Sequence, residues 1–187
     1  MIKFRFNERK AAQAASRLIK LSGGEMNYMA LLKLLYLIDR QALLRWGQPI
    51  TGDDVVAMKR GPVLSRIFDL VSQKKQDLPG SLWHQFIPRP APYVYTVEFD
   101  GAEDTSQLSA AELSLIDETF SLHREMSEDE LVELTHQLPE WQDPGVTSKP
   151  IPFESILRAE NVSPEEIAAI AREVEADDFL DRTLASV

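Results

Sequence analysis

The residues with the clearest potential for metal chemistry are Glu133 and His136, which follow the Glu-x-x-His spacing. On a helix this spacing projects both side chains from one face, as in di-iron bundles. A bundle site needs a second copy of the motif, and neither His84 nor His123 has an acidic residue three positions earlier. The absence of cysteine also excludes thiolate zinc sites, iron–sulfur clusters and disulfides. We therefore expect no metal and no cofactor, and we interpret His136 as a structural hydrogen-bonding residue.

Motifs for nucleophilic or nucleotide chemistry are missing from the sequence. The patterns Gly-x-Ser-x-Gly, Gly-x-Gly-x-x-Gly and Walker A do not occur. The string Gly52-Asp53-Asp54 resembles polymerase carboxylates, but turn and capping chemistry explains it better. These observations favour a protein that is not an enzyme.

Charge is distributed unevenly along the 187 residues, whose net charge is −10. Residues 1–90 hold 15 Lys/Arg and 7 Asp/Glu, a balance of +8, whereas residues 91–187 hold 5 and 23, a balance of −18. Such an asymmetry indicates an interaction surface, or two halves that pack together and partly neutralise each other.

A turn in the basic half is the best candidate for binding nucleic acid. Lys59-Arg60 precede Gly61-Pro62, and Arg66 follows on a predicted helix whose first backbone amides could hold a phosphate. The acidic second half opposes this interpretation because it repels phosphate, and no recognised nucleic-acid-binding signature accompanies the turn. We therefore do not favour nucleic acid as a partner.

The spacing of apolar residues and caps predicts a mainly α (α+β) fold. A first helix runs from Glu8 to Leu21, and a second opens at Asn27 and ends at Trp46-Gly47. The second helix is apolar nearly all round, which is typical of a buried central helix. Its polar exceptions fall within one arc of about 120° and are Lys33, Tyr36, Asp39 and Arg40.

A small antiparallel β element is expected to accompany the helices. Val55 to Met58 reads as a short strand, and Gly61-Pro62 as the start of a third helix that ends near Lys74-Lys75. Aromatic and β-branched residues predict two further strands, Trp83–Ile87 and Tyr93–Phe99, joined by the proline-rich loop 88–92.

Three capping boxes make the second half mainly helical, namely Ser109 with Glu112, Ser127 with Glu130, and Ser163 with Glu166. We divide the chain into a domain of residues 1–160 and an acidic C-terminal helical extension and tail of residues 161–187. No apolar stretch is long enough to span a membrane, and the charged N-terminus lacks the apolar region of a signal peptide. We expect a cytoplasmic protein without a membrane partner.

Several segments, taken in order, resemble the Panacea-domain family of SocA-like antitoxins. The resemblance covers about residues 10–160, and the ordered combination is specific although each segment alone is weak. These segments are Lys33–Arg40, Trp46–Thr51, Ala57–Val63, Leu108–Glu112, Leu131–His136 and Pro139–Trp141.

The resemblance implies a compact helical domain that acts as a bacterial or phage antitoxin. Family members are similar in neutralising varied toxins, usually encoded beside them, through direct protein contact and without catalysis. Some act instead as adaptors that deliver the toxin to a AAA+ protease, and this is our first alternative. A nucleic-acid-binding regulator of its own operon is the second.

Two interpretations apply to the residues of the shared motifs. They form an internal polar cluster that maintains the fold, which we favour, or they line a groove that recognises the toxin. In either case the acidic extension offers a surface for a basic toxin, formed by Glu165, Glu166, Glu173 and Glu175. The motif residues are Lys33, Tyr36, Asp39, Arg40, Gly61, Pro62, Thr135, His136 and Trp141.

Overall fold

The structure is a computed structural model that describes residues 1–72, 81–88 and 94–184. Its helices surround a buried central helix and carry two small antiparallel sheets. The helices are α1 (Glu8–Leu21), α2 (Tyr28–Trp46), α3 (Ser65–Ser72), α4 (Trp83–Phe86), α5 (Ala110–His123), α6 (Glu128–His136), α7 (Phe153–Ala159) and α8 (Pro164–Leu184). The strands are β1 (Glu25–Asn27), β2 (Val55–Met58), β3 (Gly61–Leu64), β4 (Thr96–Glu98) and β5 (Lys149–Pro150). This architecture confirms the predicted mainly α (α+β) class.

The central helix α2 forms where its caps predict it. The Asn27 side chain accepts a hydrogen bond from the backbone of Met29 at 2.8 Å, and Gly47 ends the helix in the left-handed conformation. All ten residues from Leu31 to Arg40 are buried. Helices α1, α5, α6 and α7 and strand β3 pack around α2. The polar side chains of α2 are therefore held among these neighbouring elements.

The prediction that a helix starts at Gly61-Pro62 is wrong, because these residues begin strand β3. β3 pairs antiparallel with β2 in the register Met58↔Gly61 and Val55↔Leu64, and helix α3 starts only at Ser65. Gly61 has a φ of 89° directly after the turn, as in hairpins closed by a left-handed glycine. Proline is tolerated at the next position because β3 is an edge strand of the order β3-β2-β5.

The predicted pairing of Trp83–Ile87 with Tyr93–Phe99 is also wrong. Trp83–Phe86 is the short helix α4, and its Trp83 side chain is buried in the core. Strand β4 covers only Thr96–Glu98 and pairs with β1, so that Met26 lies opposite Val97. The predicted helix end at Lys74-Lys75 and residues 89–92 of the proline-rich loop lie outside the described residues.

Candidate functional site

Four polar side chains of α2 are buried, and they turn to three separate sets of partners. Lys33, Tyr36, Asp39 and Arg40 are each at most 5% exposed. The single polar cluster that their common arc suggested is therefore divided. We call the three sets the lysine cluster (Lys33, Gly61, Pro62, Thr135, His136 and Trp141), the arginine cluster (Tyr36, Arg40, Glu140 and Glu160) and the aspartate cluster (Asp39, Thr51 and Asp53).

The lysine cluster joins α2 to the β2–β3 hairpin. Lys33 Nζ donates to the carbonyl oxygen of Pro62 at 2.9 Å, and no carboxylate of the described residues pairs with it. Burial, and then the nearby charge of Arg60, lowers the pKa of Lys33 to about 7. The ammonium group is therefore held by a backbone carbonyl in an environment that opposes its charge.

Helix α6 closes the lysine cluster from the other side of the hairpin. A Cβ added at Gly61 would lie 2.7 Å from Thr135 Oγ1 and 2.8 Å from Lys33 Nζ. His136 stacks on Trp141 with ring centroids 4.0 Å apart, and Trp141 Nε1 donates to the carbonyl oxygen of Met58 at 3.1 Å. Only a glycine lets the hairpin approach α6 this closely.

The arginine cluster ties α2 to the segment after α6. Tyr36 Oη donates to Glu140 Oε1 at 2.5 Å, and Arg40 Nε donates to the same oxygen at 2.7 Å. Arg40 also pairs with Glu160, which follows α7. Burial alone would raise the pKa of Glu140, but the hydrogen bonds from Arg40 and then Tyr36 outweigh burial and lower it.

The aspartate cluster fixes the loop between α2 and β2. Asp39 accepts from the Thr51 backbone at 2.9 Å and from the Thr51 hydroxyl group. Asp53 accepts from the backbone amides of Arg66 and Ile67, both at 2.9 Å. Burial raises the pKa of Asp39 to about 7 and that of Asp53 to about 6, against the opposing effect of these hydrogen bonds. The interpretation of Asp53 as a capping residue is thus confirmed.

The same cap occupies the anion position that a phosphate would need. Helix α3 begins at Ser65, and its first amides already bind the Asp53 carboxylate. Of the basic residues near the turn, Arg60 pairs with Asp129 at 2.5 Å and Arg66 lies over the Phe6 ring. This geometry gives no support to phosphate binding at Gly61-Pro62.

The predicted motif residues differ in how they are buried and paired. His136 Nε2 is buried without a hydrogen-bond partner in the described part of the chain, and the Glu133 side chain is exposed. Within residues 1–72, 81–88 and 94–184, no three His, Cys, Asp or Glu side chains converge as metal ligands would. The burial and internal pairing of Lys33, Tyr36, Asp39 and Arg40 favour the interpretation that they maintain the fold. The expected hydrogen bond of His136 is not found among the described residues, where its ring stacks on Trp141 instead.

Ion pairs between the basic first half and the acidic second half neutralise part of their opposite charges. Arg17 on α1 pairs with Asp117 at 2.8 Å and with Glu103 at 3.0 Å, which ties α1 to α5 and to the acidic loop before it. These pairs support the interpretation that the two halves pack together and partly neutralise each other. Further pairs between the halves include Arg9–Asp104, Lys10–Glu112, Arg40–Glu140, Arg40–Glu160, Arg45–Glu118 and Arg60–Asp129.

Helix α8 keeps its carboxylates exposed. Glu165, Glu173 and Glu175 are exposed and make no ion pair or hydrogen bond with other described residues, whereas Glu166 closes the capping box with Ser163. The helix packs through a narrow apolar stripe that includes the buried Ile167. None of the helices among the described residues has the length and apolar character needed to cross a membrane.

Sequence reasoning missed the partners of the α2 residues. The predicted site residues did not include Glu140, Glu160, Thr51 or Asp53. Glu140 and Thr51 nevertheless lie in segments that carry the family resemblance. A usable signal was present, because an arginine on a buried helix requires a carboxylate. The identity of that carboxylate, 100 residues further along the chain, depends on the fold.

A family model matches the part of the chain that contains most of these clusters. The family model described as antitoxin SocA-like, Panacea domain, matches residues 31–142, which include α2 from Leu31 onward, the β2–β3 hairpin, α6 and Glu140. Searches of curated proteins and of solved structures give no match. The match covers more than half of the chain, and the chain therefore belongs to the SocA-like antitoxin family with a Panacea domain.

Proposed function

We propose that this protein is an antitoxin that binds a cognate protein toxin in the cytoplasm and masks its active surface. The family match over residues 31–142 carries this proposal, since an antitoxin implies a toxin as its partner. Neutralisation is stoichiometric and involves no catalytic step. The gene beside this one is the first place to look for the toxin.

The electrostatic part of the proposal rests on which carboxylates remain unpaired. Glu112 and Asp117 of α5 pair with Lys10 and Arg17 of α1. Glu165, Glu173 and Glu175 of α8 have no counterion among the described residues. Complementary charge speeds association and gives specificity more than affinity. We infer that α8 meets a basic face of the toxin.

Co-expression with the product of the adjacent gene tests the proposal. Cells that express the toxin should grow when the antitoxin is present. In the test variant Glu165, Glu173 and Glu175 become Lys and Glu166 becomes Gln, which preserves the capping box. The control variant changes Glu25, Glu98 and Glu133 to Lys and Asp100 to Asn, the same charge change on other exposed surfaces. Rescue should weaken only in the test variant.

The test also separates the alternatives. If growth is lost in a strain without the AAA+ protease while the complex persists, the protein is an adaptor rather than a masking inhibitor. If the protein shifts its promoter DNA at low salt and the toxin does not bind, it is a regulator of its operon.

A further inference from the structure

An open groove runs between helix α8 and the extended N-terminal segment. Its volume is about 470 Å³. The lining is mixed, and six apolar side chains from three parts of the chain lie among its polar and charged residues. These side chains are Phe4, Trp46, Ile170, Val174, Leu180 and Leu184.

The groove exists because only the first half of α8 is docked. Ile170 Cγ1 lies 3.0 Å from the position of a Cβ at Gly47, so α8 packs directly on the left-handed end of α2. Beyond Val174 the apolar side chains are more exposed, and Leu180 and Leu184 are 56% and 74% exposed. Trp46, at the other rim, is 44% exposed.

The charges on the two walls differ in sign. On the α8 wall, Glu173 and Asp177 have no counterion among the described residues. Lys3 and Arg5 line the facing wall. The unpaired carboxylates of Glu173 and Asp177 therefore favour a ligand that brings its basic groups toward α8.

We propose that this groove is the docking site of the cognate toxin, an inference that rests on the proposed function. The toxin inserts apolar side chains between Trp46 and the leucine pair Leu180/Leu184, and Lys or Arg beside them pairs with Glu173 and Asp177. Tryptophan and buried apolar groups contribute most binding energy at such contacts, whereas rim charges contribute mainly to the association rate.

Helix α8 offers a closely matched control for this proposal. Phe179 is 69% exposed and adjacent to Leu180, but it does not line the groove. Phe179→Ser therefore removes exposed apolar surface from the same helix outside the groove, as a control for Leu180→Ser/Leu184→Ser. Circular dichroism and thermal unfolding should be unchanged in both variants, because none of the three side chains is buried.

Binding kinetics with the toxin identified by the rescue experiment test the proposal. Leu180→Ser/Leu184→Ser should weaken affinity by roughly tenfold or more, mainly through faster dissociation, whereas Phe179→Ser should change it less than about twofold. Glu173→Gln/Asp177→Asn should slow association and reduce its salt dependence. In a 5-fluorotryptophan-labelled antitoxin, the resonance that Trp46→Phe removes should shift when the toxin binds.

Other outcomes would overturn the proposal. Equal affinities of Leu180→Ser/Leu184→Ser and the wild type, or equal losses in both variants, would remove the groove from the interface while leaving the antitoxin function intact. A concentration-dependent dimer that Leu180→Ser/Leu184→Ser abolishes would show that a second copy of the chain occupies the groove. A wild-type chain that does not bind the toxin would refute the proposed function and this inference together.

Discussion

Gly61 lies where strand β3 closely approaches helices α2 and α6. Gly61 and Gly145 both have left-handed backbones, with φ of 89° and 69°, but a Cβ at Gly145 meets nothing within 4 Å. We expect Gly61→Ala to lower the free energy of unfolding by about 1–3 kcal/mol more than Gly145→Ala, because only the former adds a steric clash to backbone strain. Urea unfolding of both variants measures this difference. Equal losses would show that packing against Thr135 and Lys33 is not restrictive.

Glu140 is the buried counterion of Arg40, and Glu160 is its exposed one. The Glu140 side chain is fully buried, whereas that of Glu160 is 43% exposed. Glu140→Gln should therefore lower the free energy of unfolding by about 3 kcal/mol, because it leaves a buried guanidinium poorly compensated. Glu160→Gln should change it by less than about 1 kcal/mol. Chemical denaturation of the two variants decides, and a reversed order would contradict the assigned roles.

Lys33 makes the stability depend on pH in a defined direction. Its pKa is about 7 in the folded protein against an ordinary value of 10.5. Between these values the unfolded chain holds a proton on Lys33 that the folded chain lacks, so the contribution of Lys33 to stability rises with pH. Relative to Lys33→Met, the wild type should gain roughly 2 kcal/mol between pH 7 and pH 9. A difference in unfolding free energy that is independent of pH would contradict this.

Among the secondary-structure elements, the helix ends that depend on capping residues were predicted correctly. Helix α1 forms at Glu8–Leu21 and α2 ends at Trp46, as expected, because Asn caps and glycine stops act within one turn. All three capping boxes form. Propensity thus located the helices that carry the polar residues.

Errors occurred where long-range pairing decided the structure. The Gly61-Pro62 pair fits a helix start locally, but pairing with β2 and contact with Thr135 place it in a strand. Trp83 was assigned to a strand by its aromatic character, yet burial in the core and a hydrogen bond from its backbone to Glu8 hold it in a short helix. For the same reason the arc of polar residues on α2 was recognised, but its separation into three clusters was not.

Helix α8 lies outside the residues that the family model matches, which leads to a prediction for the domain division at residue 160. It packs through few side chains, among them Ile167 and Ile170. A chain of residues 1–160 should retain cooperative unfolding and lose about 3 kcal/mol of stability, in proportion to this modest apolar area. Circular dichroism with thermal denaturation tests the truncation. A chain that fails to fold would make α8 part of the domain.

In the molecule as a whole, charges of opposite sign on the two halves pair in some places and stay exposed in others. Ion pairs between α1 and the acidic second half hold the body together, as in Lys10–Glu112 at 2.6 Å. In contrast, Glu165, Glu173 and Glu175 of α8 are exposed and make no ion pair with other described residues, and they lie outside the residues that the family model matches.

We propose that the protein neutralises its toxin by contact alone. The most direct measurement is the activity of the purified toxin, titrated with the purified antitoxin in the absence of any protease. We predict that activity falls linearly to zero at a fixed molar ratio and that a stable complex forms at the same ratio. Full toxin activity at saturating antitoxin would contradict the claim.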